Sequence, residues 1–165
     1  MIIRKATEKD AAAIIQLHFD AVHVTAAADY EQEILNDWSK PLEGRLDAMQ
    51  EQLRLNAEQT KIFICEIDDR AVGFGELAPR TNEVRAVYVA PSAARKGVGK
   101  MLLQEIEKAA RSHGLTELWL DSSLTAVPFY LSQGFAGSVE SEHTLRSGRK
   151  MRCVKMQKKL KQSLT

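Results

Sequence analysis

Residues 83–103, EVRAVYVAPSAARKGVGKMLL, constrain this chain more than any other stretch. Residues 83–90 form an apolar, β-branched and aromatic run of strand length. Residues 91–96 are a short basic connector, and Gly97-Val98-Gly99 opens a segment with Leu102, Ile106 and Ala110 at helical spacing. A strand, a glycine-bearing turn and a helix start in succession build an anion site. The first amides of a helix lack an acceptor inside it and point at whatever precedes it. Gly97 and Gly99 let the backbone come close to a ligand. Arg95, Lys96 and Lys100 add positive charge at the same place. The expected ligand carries a phosphate or pyrophosphate.

The remaining segments alternate in a way that surrounds this unit with one sheet. Ile2 and Ile3 begin a short strand. Thr7 to Asp10 resembles a capping box, and Ala11, Ile14, Ile15, His18 and Val22 predict a helix to about Thr25. A second helical piece is expected over 29–38, with Ile34, Leu35 and Trp38 on one side. Pro41 marks a third helix, whose core stripe is Leu42, Leu46, Met49 and Leu53. From Lys61 the period changes. KIFICEI, a turn at Asp68-Asp69 and AVGFGEL read as a tight antiparallel pair, and 79–82 turn into 83–90 to complete a meander. Gly114 stops the helix that starts near Val98. ELWLD is a buried strand, PFYLSQ is helix-sized, and the C-terminal part reads as two strands around Ser147-Gly148. Without an internal repeat or composition break, the expectation is a single α/β domain spanning 1–165. Its central sheet is mixed and has about six or seven strands.

Composition narrows the function. The formal net charge of +1 gives no global field toward nucleic acid or an anionic membrane. No apolar run of the roughly 18 residues that a membrane span needs is expected, and MIIRKATEKD lacks a secretory core. Cys65 and Cys153 each sit in a strand-like segment and are expected as buried free thiols in a reducing cytoplasm. His18, His23, His113 and His143 show no metal-ligand spacing, so no metal is expected and exposed or capping roles are assigned to them. Asp121 and Ser122 carry no nucleophile signature. Lys155, Lys158, Lys159 and Lys161 read as a solvated basic tail.

Spacing then sorts the phosphate sites. A Walker loop would need a glycine where Ala94 stands and a Ser or Thr where Met101 stands. A dinucleotide fingerprint would need a small residue at Leu102. Ala94-Arg95-Lys96-Gly97-Val98-Gly99 instead resembles the [QR]-x-x-G-x-[GA] signature of the GCN5-related N-acetyltransferase (GNAT) family. Both glycines match, and Ala94 departs from the leading Gln or Arg. Downstream, DSSLTAVPFYLSQGF resembles the family's N-x-x-A-x-x-F-Y-x-x-x-G-F through Ala126, Phe129, Tyr130, Gly134 and Phe135, with Ser123 in place of Asn.

The resemblance implies the GNAT fold, mostly antiparallel, with about four flanking helices. It also implies acetyl-coenzyme A as acyl donor, gripped by the amides from Arg95 to Lys100. The pantetheine would lie along Val87, Tyr88 and Val89, and Ser123 and Phe129 would complete the cofactor site. Tyr130 would donate a proton to the departing thiolate. The acceptor is expected to be an amine, and dimerisation is common in the family. Transfer needs that amine neutral, although a lysine-like amine has a pKa near about 10.4. Glu83 matches the family's base position and Glu76 is the second candidate; a solvated strand-end charge is the plainer role for either. The expected activity is direct acyl transfer in a ternary complex. The alternative is a non-catalytic acyl-coenzyme A sensing module on the same fold.

Overall fold

The computed structural model describes residues 1–161. Seven strands form one sheet: β1 (Ile2–Lys5), β2 (Lys61–Ile67), β3 (Arg70–Ala78), β4 (Glu83–Val89), β5 (Glu117–Ser123), β6 (Glu140–Thr144) and β7 (Lys150–Lys159). Their order is β1-β2-β3-β4-β5-β7-β6. Every pairing is antiparallel except β4 with β5, which are parallel and matched at one position, Glu83 with Trp119. Asp68 and Asp69 both take positive φ, 49° and 59°, which suits a tight hairpin between β2 and β3.

Five α-helices cover the sheet: α1 (Ala11–Asp20), α2 (Gln32–Trp38), α3 (Leu46–Leu55), α4 (Val98–Ser112) and α5 (Val127–Ser132). Helix α4 lays Leu102, Leu103, Ile106 and Ala110 on one face, against Phe63, Cys65, Leu77 and Val84. Helices α1 and α3 cover the other face with Ile14, Leu17, Met49 and Leu53 around Ile64, Phe74 and Ala86. The alternation along β2 and β3 divides apolar residues between the two layers, as a sheet covered on both faces requires.

The helix boundaries differ from the sequence expectations for local reasons. Helix α1 ends at Asp20 and continues as a π turn (Ala21–Thr25) rich in β-branched residues, then a 3-10 turn (Ala26–Ala28). Together Glu8–Ala28 make a run of 21 residues apolar enough by length and composition to cross a membrane, contrary to expectation. Ile14, Ile15, Leu17 and Val22 of this run are instead buried in the fold. Helix α2 starts three residues later than expected, because Tyr30 is bonded to β7 and Asp29 to Thr125 in the turn before α5. Helix α3 starts at Leu46 rather than near Pro41, since Gly44 takes a left-handed φ of 70°. Leu46 is exposed and does not join the core stripe.

Lys155 and Lys158 are not tail residues. They belong to β7, where Lys155 meets Asp121 at 3.1 Å and Lys158 meets Glu107 at 2.6 Å. Cys65 and Cys153 are free and buried, as expected, and burial pushes both thiols up.

Candidate active site

The loop after β4 supplies a row of donors. A 3-10 turn (Pro91–Ala93) ends with Ala94 donating to the Pro91 carbonyl at 3.2 Å. Arg95 then takes φ 65° and Gly97 φ 83°. Left-handed geometry is ordinary for glycine and uncommon for arginine. Among the described residues, the amides of Arg95, Lys96, Gly97, Val98, Gly99 and Lys100 have no backbone acceptor. Helical bonding begins where Met101 donates to the Gly97 carbonyl at 3.0 Å. Successive free amides with left-handed residues between them form an anion-binding concavity. Ala94, Arg95, Lys96 and Lys100 are exposed, whereas Val98 is buried and offers only its amide. A Cβ on Gly99 would meet the Phe129 ring at 3.2 Å and Val89 at 3.7 Å. Glycine there lets α4 start close against α5.

Upstream, β4 and β5 part company. Trp119 donates to the Asn82 carbonyl at 3.0 Å beside the lone Glu83–Trp119 pair. In the ladder with β3, Glu76 faces Ala86 and Leu77 faces Val84, so Arg85 is an extra residue that bulges β4. Beyond the bulge, Ala90 donates to the Val72 carbonyl at 2.8 Å. Alternation along the ladder then turns Tyr88 and Ala86 toward β3, and the polar groups of Val87 and Val89 toward the gap. Tyr88 was expected to bind through its main chain, and that main chain is committed to β3.

A cleft of about 110 Å³ occupies this gap, lined from β4 by Glu83, Arg85 and Tyr88 and from β5 by Asp121 and Ser123. Tyr130 of α5 lines it too. The Tyr130 ring packs against Phe129 and Phe135 at centroid distances of 5.1 and 5.6 Å. Burial pushes its phenol up, and its hydroxyl has no hydrogen-bond partner among the described residues. The Glu83 carboxylate accepts from Arg85 Nε at 3.2 Å. Glu76 stands beside the cleft and not in its lining. Burial pushes the Glu76 carboxyl up, partly opposed by Arg85 at 3.8 Å and reinforced by Glu83. Ser123 lines the cleft, but its Oγ accepts from the Ala126 amide at 3.3 Å and caps the turn before α5.

Sequence reasoning missed some of the groups that folding brings here, though the family resemblance offers the Tyr30–Trp38 region as a wall of the acceptor site or as plain core packing. Trp38 walls the cleft from α2. Behind it His18, Tyr88 and Phe74 stack in one cluster, with His18 4.5 Å from Tyr88 and 6.2 Å from Trp38. His18 is therefore a half-buried histidine inside an aromatic cluster, not an exposed or capping one. Its Nδ1 lies 2.9 Å from Ser39 Oγ, and burial pulls it down to about 4. Asp121 and His143 also face the cleft, from β5 and β6. No spacing in the sequence relates them, because they meet only through the strand order β5-β7-β6.

Residues 26–160 match the family profile described as an acetyltransferase (GNAT) domain. The chain is 27% identical over 139 residues to spermidine N(1)-acetyltransferase of Thermoplasma acidophilum, covering 81% of this chain and 86% of that protein. It is 26% identical over 133 residues to the uncharacterized N-acetyltransferase YafP of Escherichia coli, covering 81% and 79%. A solved GCN5-related N-acetyltransferase from Rhodopseudomonas palustris has a TM-score of 0.84 at 24% identity, covering 96% of this chain and 95% of that one. The PaiA N-acetyltransferase from Thermoplasma acidophilum, solved with coenzyme A, has a TM-score of 0.74 at 22% identity, covering 96% and 98%. Both solved structures share the fold of this chain.

Proposed function

The chain belongs to the acetyltransferase (GNAT) family, and from that premise we propose that it passes the acetyl group of acetyl-coenzyme A directly to a primary amine in a ternary complex. The observation that carries this reading is the run of six free amides at the start of α4, continuous with the open edge of β4. A pyrophosphate suits the amides from Arg95 to Lys100. The outward polar groups of Val87 and Val89 suit the amide-bearing arm between pyrophosphate and thioester, and Phe129 closes the site beside Gly99. The bound donor supplies an activated acyl group.

The protein's own part is to position the amine, remove its proton and protonate the leaving sulfur. Tyr130 suits the last task. Its buried phenol stays protonated at neutral pH and its hydroxyl is unengaged. A thiol's ordinary pKa of about 8.5 lies below a phenol's of about 10, so the gain is a hydrogen bond to developing charge rather than a downhill transfer. Glu83 faces the amine's side of the cleft and can hold its ammonium form.

The similarity to a spermidine acetyltransferase supports a cationic amine as acceptor. A primary-amine panel with detection of free thiol tests the reading: thiol release that depends on amine is expected. Acetyl-coenzyme A that raises Tm without any amine-dependent release would favour the sensing module. That second reading draws on Ala94, whose methyl group offers phosphate no hydrogen-bond donor, and on Ser123, whose Oγ is spent on a cap.

A further inference from the structure

The cleft holds an imidazole with a carboxylate behind it. His143 Nδ1 lies 3.5 Å from Asp121 Oδ2, and both residues line the gap that contains Glu83 and Tyr130. The His143 side chain is 51% exposed, so solvent reaches it, while that of Asp121 is 21% exposed. Asp121 is oriented from its other oxygen, where Lys155 Nζ approaches Oδ1 at 3.1 Å. Lys155 is itself fixed over the Trp119 ring at 4.1 Å. One carboxylate oxygen accepts from Lys155, and the other faces the imidazole at ion-pair distance. Among the described residues, Nε2 of His143 has no hydrogen-bond partner.

Glu83 is differently placed. Arg85 Nε occupies one of its oxygens at 3.2 Å, and the same guanidinium lies 3.8 Å from Glu76. With one oxygen engaged by Arg85, the Glu83 carboxylate has the other left to hold a cation. The charged and titratable groups that share the cleft with His143 are Asp121 from β5, Lys155 and Cys153 from β7, Glu83, Arg85 and Tyr88 from β4, and Tyr130 from α5.

We propose that His143, oriented by Asp121, is the group that takes the proton from the acceptor ammonium, while Glu83 positions that ammonium. This rests on the acetyltransferase reading. The ammonium gives one N–H proton to Nε2, leaving a neutral amine and an imidazolium whose charge Asp121 offsets. The amine nitrogen bonds to the acyl carbon and the carbon–sulfur bond breaks. Tyr130 protonates the sulfur, and the second N–H proton of the new amide restores the phenol through water. His143 returns its proton to solvent, so each turnover releases one proton. A ring nitrogen with no other partner can take and release a proton, as this duty requires.

The test uses the full chain with acetyl-coenzyme A and a primary-amine panel that includes spermidine. His143→Gln is expected to lower kcat at least tenfold at pH 7, with KM for acetyl-coenzyme A within twofold. It should recover to within threefold of wild type near pH 10, where much of the amine is neutral without help. Asp121→Asn should lower kcat in the same way, and Glu83→Gln should raise the amine KM more than it lowers kcat. Spermidine should also shift the His143 ring resonances saturably in wild-type protein. A His143→Gln enzyme within twofold of wild type at pH 7, a defect that persists near pH 10, or ring resonances blind to spermidine would overturn the assignment. Absence of amine-dependent thiol release in wild-type protein would remove the acetyltransferase reading itself, a distinct result.

Discussion

Tyr130 illustrates how a residue's surroundings decide its chemistry. Two aromatic neighbours bury its ring and raise its phenol, yet the hydroxyl keeps access to the cleft. Tyr130→Phe removes only that oxygen. Amine-dependent thiol release should fall at least tenfold, while stabilisation by coenzyme A in a thermal melt stays intact; unchanged turnover would free Tyr130 of its role. His18 makes a second prediction at this scale. Burial is the main cause that holds it at about 4 instead of 6.5, with Arg45 and His23 adding repulsion. The folded-state value is depressed, so the unfolded chain binds more protons between those two pH values. The contribution of a neutral His18 is complete above pH 6.5 and is lost as pH falls through about 4. At 1.36 kcal/mol per unit the whole effect is about 3 kcal/mol at most. In chemical unfolding, wild-type stability should drop toward that of His18→Gln over this window; a constant difference would refute the linkage. The FYLSQGF motif made Tyr130 legible from the sequence. His18 was not legible, since a histidine on a helical stripe looks the same whether its neighbours are solvent or Tyr88 and Trp38.

At the scale of elements, glycines decide how closely α4 approaches the sheet and the cradle. Gly97 has open space around it but a φ of 83°. Gly97→Ala should therefore cost about 1 kcal/mol through backbone strain alone, and coenzyme A affinity should fall with the cradle's geometry. Isothermal titration reads this directly, and unchanged affinity would separate the cradle from binding. Gly73 is the opposite case. A Cβ there would meet the Tyr88 carbonyl and Val98 Cγ1 at 2.9 Å each, so β4 itself would have to shift. Overpacking of this kind costs about 1–3 kcal/mol, and at about 2–4 °C per kcal/mol the Tm of Gly73→Ala should fall by roughly 2–12 °C. The strand–turn–helix unit was readable because its signals are local: a run of β-branched residues, two glycines and a helical stripe. The start of α2 was not, because Asp29 and Tyr30 are held by Thr125, Leu124 and Arg152, roughly a hundred residues away in the chain.

Those same bonds hold the molecule's two ends together. Tyr30 donates to the Arg152 carbonyl at 2.7 Å and accepts from the Leu124 amide at 2.8 Å, joining the N-terminal helices to β7 and to the turn before α5. Nearby, Arg149 pairs with Asp37 and Glu33, docking the β6–β7 turn onto α2, the helix that carries Trp38 into the cleft. Tyr30→Phe leaves two backbone groups to find new partners, at a cost of about 1–3 kcal/mol. On the proposed reading the wall that Tyr30 supports borders the acceptor, so the acceptor KM should rise more than that of acetyl-coenzyme A. Steady-state kinetics against both substrates check this, and an equal rise in both would contradict it. The sequence by itself determined the family and the α/β architecture, and it singled out the glycine turn and Tyr130 as candidates, because each is written in short spacings that local geometry enforces. The tertiary structure fixed the bulge at Arg85 and the opening between β4 and β5, which the family resemblance implied and the uneven alternation of residues 83–90 left open, and it alone decided the meeting of His143 with Asp121. Each of these depends on which strands lie side by side and where their pairing stops, and no short spacing encodes that.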